Sequence, residues 1–287
     1  MVDKAARPPD RSKAALQATH STTEPPGVLL SVAHSLRQEL LRRLSPAAIV
    51  QELLAAGEKS LLQFLERVQS NLDEGRASIE STLRSMNASL ETAMITLAQL
   101  GWYVDMWIIT QPAVVELAQQ AKEGRVDEVE QYLVSFYSNH LERIEEELLG
   151  RHPDRAPMLR QACAAHRRGE YALSIPVFLA QADGVCHDRI GEQVYRRRSG
   201  NPAIAHVLAA MATGILAEAV LAPLKSPMPI SDSTDDSSTP GRLNRHAILH
   251  GLDLSYHTQH NSLKALLFLL YVSDVLDKQW IDESAGD

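Results

Sequence analysis

Cysteine is nearly absent: Cys163 and Cys186 are the only two in 287 residues, and they do not form a CxxC pair. This excludes a disulfide scaffold, so both are expected as small buried apolar side chains in a reducing compartment. Aromatic residues are scarce at 5%. Alternating β-branched runs bounded by tight turns are also missing, which argues against sheet. No apolar run approaches the ~20 residues that span a bilayer; the most apolar one, residues 265–272, is far shorter. Residues 1–27 contain no apolar core of signal-peptide length, so secretion is not expected and a cytoplasmic location is. Positive charge is in deficit, with 28 Lys and Arg against 36 Asp and Glu and a formal net charge of −8. Such a chain is not drawn to nucleic acid as a whole, because phosphate binding relies on Lys and Arg. A local basic site remains open to it, since charges beyond about 8–10 Å are screened. A Gly-rich phosphate loop, a GxSxG elbow, a kinase signature and a fixed-period repeat are all lacking.

Hydrophobic residues make up 45% of the chain, and Leu, Ala, Glu, Gln and Arg dominate long stretches. These side chains lose little rotamer freedom on a helix. The fold class is therefore all-α: a helical bundle with long amphipathic helices in its N-terminal part. Residues 1–27, with Pro8, Pro9, Pro25 and Pro26, read as a disordered tail. Leu29, Ala33, Leu36, Leu40 and Leu44 then fall at helical spacing, and Ser45-Pro46 punctuates them. A longer stripe passes through Leu61, Leu65, Val68, Leu72, Ile79, Leu83, Met86 and Leu90, predicting one or two long helices with Gly57 and Gly75 as possible breaks. Its polar interruptions argue for a bundle helix over a sustained coiled coil.

Further helices are predicted over 113–123 and along one continuous face from Val126 to Leu148, on which His140 is expected as a hydrogen-bonded core or boundary residue. The turn at 151–155 suggests a boundary between an N-terminal helical region for regulation or association (28–150) and a C-terminal helical domain (151–287). Within the latter, helices are expected over 157–168, 171–190 with Pro176 kinking it or marking its first turn, and 203–224. The polar stretch SDSTDDSSTP argues for a mobile loop in the 226–240 region. A last pair of helices is expected over 241–250 and 258–278, the final one capped by Thr258 or Asn261.

The most unusual local chemistry lies at the start of that last pair, in GRLNRHAILHG (residues 241–251). Four of the eleven histidines, His246, His250, His257 and His260, fall within fifteen residues. Arg245 and His250 stand five apart on a short predicted helix ending at Gly251. An imidazole titrates near neutrality and can take or give a proton, while a guanidinium can hold the charge of a phosphorane by paired hydrogen bonds. A second Arg-to-His spacing, Arg160 to His166, lacks comparable flanking residues.

Arg245-His246-Ala247-Ile248-Leu249-His250 resembles the signature of the HEPN superfamily, an Arg followed four to six residues later by His, often with a polar residue directly after the Arg. The segments NRHAILHG, NSLKALLFLLYVSDVL and IPVFLAQADG are also similar to bacterial proteins of that type, over about residues 101–278. The resemblance implies a C-terminal HEPN-like bundle that cleaves RNA without a metal or other cofactor, the 2′-hydroxyl attacking the adjacent phosphate. It implies Arg245 and His250 as the catalytic pair, His246 as a positioning or secondary proton-transfer group, and Asn244 and Asp183 as supporting residues. Asp183 interrupts an apolar helix and would need an Arg or His partner if buried; Asp188 nearby is a weaker candidate. Arg196, Arg197, Arg198 and Arg242 would hold RNA phosphates. Paired domains usually build one composite site in the superfamily, so a homodimer is implied, with an antitoxin or other regulatory protein as a possible partner and phage defence or growth arrest as the setting.

Two rivals stand beside this reading. His246 and His250 at i, i+4 have the spacing of zinc ligands, with His257 and His260 available to complete a site, but HAILH lacks the glutamate of HExxH. Alternatively, the chain is a non-catalytic helical adaptor or sensor whose residues 28–150 mediate association.

Overall fold

The computed structural model describes residues 58–211, 215–231 and 242–277, and Ala47. The expected tail, the first amphipathic helix and its Ser45-Pro46 punctuation, Gly57, and the loop from 232 onward lie outside the described residues. The chain divides into two compact units, residues 1–77 and 78–287. Helix α1, Glu58–Gln99, crosses that division without a break at Gly75. Its apolar stripe changes character along its length: Leu65, Leu72, Ile79, Leu83 and Met86 are exposed, whereas Leu90, Met94 and Leu97 are core. The helix stops at Gly101, whose φ of +87° suits a residue without Cβ. The Trp102 N–H bonds the Leu97 carbonyl and the Gly101 N–H bonds that of Ala98, both at 2.9 Å, satisfying two carbonyls the helix end would orphan.

The second unit continues with α2 (Gln111–Lys122), α3 (Val126–Ser138), α4 (Leu141–Arg151), a 3₁₀ turn (Pro153–Arg155), α5 (Ala156–Arg167) and α6 (Tyr171–Ile190). A two-stranded antiparallel hairpin, β1 (Arg197–Arg198) with β2 (Asn201–Pro202), precedes α7 (Ala205–Met211) and α8 (Ile215–Lys225). A 3₁₀ turn (Pro229–Ser231), α9 (Arg245–Leu249) and α10 (Gln259–Val275) complete it. The all-α expectation holds. No helix among the described residues is long and apolar enough to cross a membrane.

The single helix expected from 126 to 148 is two helices. In a continuous helix the Phe136 carbonyl would accept the His140 N–H; here that carbonyl meets the Nδ1 of the same histidine at 2.7 Å. The backbone N–H of His140 turns to the Tyr137 carbonyl instead, and the helix restarts at Leu141. His140 is thus the half-buried, hydrogen-bonded residue expected, and it also ends a helix. Pro176 sits inside α6 and cannot donate to the Ala172 carbonyl one turn back. The Tyr256 hydroxyl donates to that carbonyl at 3.2 Å in its place.

Helix α10 is the axis of the unit. It is buried from Asn261 through Val275 and packs most extensively on α6, then on α3 and α4. A helix apolar on every side must lie inside a fold, and the polar residues of α10 find internal partners. The Oγ of Ser262 lies 2.7 Å from the Nδ1 of His166 and 2.7 Å from the Oγ of Ser174. Ser273 meets the Nε2 of His152 at 2.7 Å, and Lys264 donates to Glu130 at 2.6 Å. Asp274 is paired with Arg151. His166, from the second Arg-to-His spacing, is therefore sealed in the core as a structural hydrogen-bonding group.

Thr258 caps this helix, its Oγ1 accepting the Asn261 N–H at 3.2 Å. Thr258→Ala removes that acceptor and is expected to destabilise the fold by about 1 kcal/mol, read as a lower urea midpoint with an unchanged slope. A midpoint equal to the parent's would show that the cap contributes nothing.

Candidate functional site

Helix α9 is a turn and a half of chain set by its two ends. Asn244 is extended at the N-cap, and its Oδ1 accepts the Ala247 N–H at 3.1 Å. Gly251 closes the other end at φ +70°, with the Leu252 N–H bonding the Ala247 carbonyl at 2.8 Å. The apolar pair Ala247 and Ile248 faces inward, and α9 packs on α6 and on the 229–231 turn. That anchoring leaves His250 exposed and His246 half-buried. Four residues apart, they share a face, with ring centroids separated by 4.4 Å.

Arg245 takes a different direction. Its guanidinium carbon lies 5.1 Å from the centre of the Tyr195 ring, a cation–π arrangement. Tyr195 is itself fixed, its hydroxyl donating to the Leu179 carbonyl of α6 at 3.0 Å. Among the described residues no hydrogen bond or ion pair engages the Arg245 guanidinium, and its Nε is buried without a partner. Arg245 is thus held in place by an aromatic ring, and its Nη donors engage no hydrogen-bond acceptor among the described residues. No contact joins Arg245 to His250 among the described residues; residues five apart on a helix point about 140° away from each other.

Asp183 lies within electrostatic reach of Arg245 without forming a direct pair. Its Oδ1 accepts the Val194 N–H at 2.9 Å, which fixes the chain leaving α6. Burial raises its carboxyl above the usual aspartate range, while the Val194 amide and the Arg245 charge pull it back down. Asp188 belongs elsewhere, bound to Arg155 at 2.6 Å. The Arg155 guanidinium also crosses Gly184 so closely that a Cβ there would sit 2.5 Å from its Nη1. A side chain at 184 would displace the Arg155 guanidinium.

The arginine triplet is mostly engaged. Arg198 pairs with Glu192 at 2.8 Å and Arg196 approaches the same carboxylate at 4.0 Å. Arg197 donates to the Met228 carbonyl at 3.1 Å and to the Ser231 hydroxyl at 3.3 Å, tying the hairpin to the turn that supports α9. Arg242 is exposed two residues before Asn244. Among the described residues no group of three or more His, Cys, Asp or Glu side chains is placed to hold a metal ion, which leaves the zinc rival without a ligand set there. Cys163 and Cys186 are unbonded and buried, and burial pushes both thiols up to about 12.

Tyr195 is the residue of this site that sequence reasoning passes over. It directly precedes the arginine triplet, and only the tertiary fold brings it to Arg245, fifty positions on. Comparison with protein-family models, curated proteins and solved structures finds no match to this chain.

Proposed function

We propose that α9 carries a metal-independent RNA-cleaving centre of the HEPN type. One observation carries the reading: an arginine seated against an aromatic ring, with no acceptor for its donors among the described residues, adjoins a pair of imidazoles at an accessible helix end. A guanidinium held in this way is preorganised for an anion. In the reaction an imidazole removes the 2′-hydroxyl proton, and the 2′-oxygen forms a bond to phosphorus. The bond from phosphorus to the 5′-oxygen breaks, and an imidazolium returns a proton to that leaving oxygen. The products are a 2′,3′-cyclic phosphate and a 5′-hydroxyl.

The divergence of Arg245 and His250 around α9 supports the homodimeric form of the proposal. One copy's Arg245 would then serve the phosphate while the other copy's His250 and His246 move protons. Asn244 supports the pair by capping α9, Asp183 by biasing Arg245, and Arg242 is an exposed phosphate contact beside them. Phage defence or growth arrest, with a regulatory protein as partner, is the biological setting proposed from the resemblance.

Purified full-length chain is expected to cleave single-stranded RNA in excess chelator. Arg245→Ala and His250→Ala should each slow cleavage by about 10²-fold or more. No cleavage by the parent, or equal cleavage by Arg245→Ala, rejects the proposal. A second reading, a non-catalytic helical adaptor, is favoured by the exposed apolar residues Leu65, Leu72, Ile79, Leu83 and Met86 on α1. An inert parent chain that forms a defined assembly through that stripe would support it.

A further inference from the structure

Along α1 no residue from 63 to 89 is buried, yet this stretch carries an apolar stripe. Leu65, Leu72, Ile79, Leu83 and Met86 are exposed and Val68 is half-buried. At 3.6 residues per turn the six fall within an arc of about 60°. A helix in a protein owes most of its stability to packing an apolar face, and among the described residues nothing covers this one.

The order of the stripe identifies what fits it. From Leu65 to Met86 its intervals are three, four, seven, four and three, the same read from either end. A second copy laid antiparallel sets Leu65 level with Met86, Val68 with Leu83 and Leu72 with Ile79, so apolar meets apolar at every step. The two-fold axis then passes between Gly75 and Arg76. Glycine weakens a helix interior, but a Cβ at Gly75 would meet nothing within 4 Å in the chain itself. Its missing side chain lets two backbones come closest at the axis.

Charge selects the same arrangement. Glu66, Asp73, Arg76, Glu80 and Arg84 line one edge of the stripe, and Asn71, Ser78 and Thr82 line the other. Antiparallel pairing brings charged edge to charged edge. Arg76 of each copy comes within about 3 Å in axial height of Asp73 of the other, and Arg84 within about 1.5 Å of Glu66. Parallel pairing in register would set the charged edge against the uncharged one and leave these groups without partners across the interface.

We infer that α1 binds α1 of a second copy antiparallel to it, about a two-fold axis at Gly75 and Arg76. The contact is one helix wide and about 32 Å long, less than an obligate dimer buries, so association is reversible. The inference goes beyond the RNA-cleaving reading and does not depend on it.

Sedimentation equilibrium of the full chain should show monomers in exchange with dimers. Leu72→Lys should raise the Kd at least about a hundredfold, since both copies lose an apolar residue beside the axis. Leu72 is exposed in the single chain, so the variant should keep the parent's helix content. Orientation is read by mild oxidation. A chain carrying Leu65→Cys and Met86→Cys should form a disulfide-linked dimer, while Leu65→Cys alone should not, its mate in the other copy lying about 32 Å away. Cys163 and Cys186 are buried and stay out of the reaction. A parent that is monomeric at all concentrations would overturn the inference. So would a Leu72→Lys chain that dimerises like the parent, as a contact through α9 would allow, a double-cysteine chain that does not link, or equal linking by Leu65→Cys alone.

Discussion

Lowering the pH from about 6.5 to about 4 should cost the fold several kcal/mol. His152 and His166 are both buried against serines of α10, which pushes both down to about 4 in the folded chain, below the 6.5 of a free imidazole. Burial is the main cause in each; Arg189, Arg155 and Arg151 add to it at His152, and Arg167 at His166. As pH falls through 6.5 the unfolded chain takes up two protons that the folded chain refuses, so unfolding gains free energy until pH reaches about 4. Each pH unit in that window is worth about 1.4 kcal/mol per histidine, on the order of 6 kcal/mol for the pair across the window. Asp105 opposes them. Burial raises its carboxyl to about 6 from 3.8, so the folded chain protonates first and gains roughly 3 kcal/mol as pH falls through that interval. The net loss expected from these three groups is therefore about 3–4 kcal/mol. Urea unfolding followed by tryptophan fluorescence at pH 7, 5.5 and 4 measures it. His152→Gln and His166→Asn preserve the nitrogen that faces each serine and should together flatten the profile, while Asp105→Asn should steepen it. A parent chain equally stable at pH 7 and pH 4, or a double histidine variant with the parent's slope, would contradict the assignment.

The helices were legible in the sequence wherever a single face carried the signal. The 171–190 helix and the Thr258 cap follow from local residue types alone, because capping and helical periodicity act within a few residues of chain. The break at 139–140 was not legible, since the apolar stripe continues through it and only the ring of His140 displaces a backbone bond. The inward polar residues of α10 could be read as polar but not as paired. His166 and Ser262 are 96 positions apart, and His152 and Ser273 are 121 apart. At the candidate site, the end of α9 at Gly251 and the shared face of His246 and His250 could be derived from spacing; its start at Arg245, later than expected, is set by the Asn244 cap. The seat of Arg245 on Tyr195 could not, because the two residues are fifty positions apart and only tertiary packing joins them.

The guanidinium of Arg151 should prove the most costly side chain to remove from the second unit. It sits at the C-terminal end of α4, in contact with Glu147 one turn back and with Asp274 of α10, and 4.0 Å from Asp277. Asp274 is 6% exposed, so it cannot turn to water when its partner is lost. Breaking a buried ion pair from one side leaves an uncompensated charge, and such losses run to about 3–5 kcal/mol. Arg151→Met retains most of the aliphatic stem, so its cost reports the charge more than the packing. At pH 7 a loss of about 3–5 kcal/mol is expected. Two rescues follow from the same electrostatics. Adding Asp274→Asn to Arg151→Met should restore a large part of the loss, because the orphaned group is then neutral. Lowering the pH toward 5 should narrow the gap between Arg151→Met and its parent, since losing the guanidinium raises the folded-state pKa of the carboxylates it served and lets the variant bind protons that the parent does not. Paired urea titrations of the parent, the single variant and the double variant at both pH values carry the test. If Arg151→Met is as stable as the parent, or if Asp274→Asn deepens its defect, the arginine is a surface ornament of α4 and Asp274 does not depend on its charge.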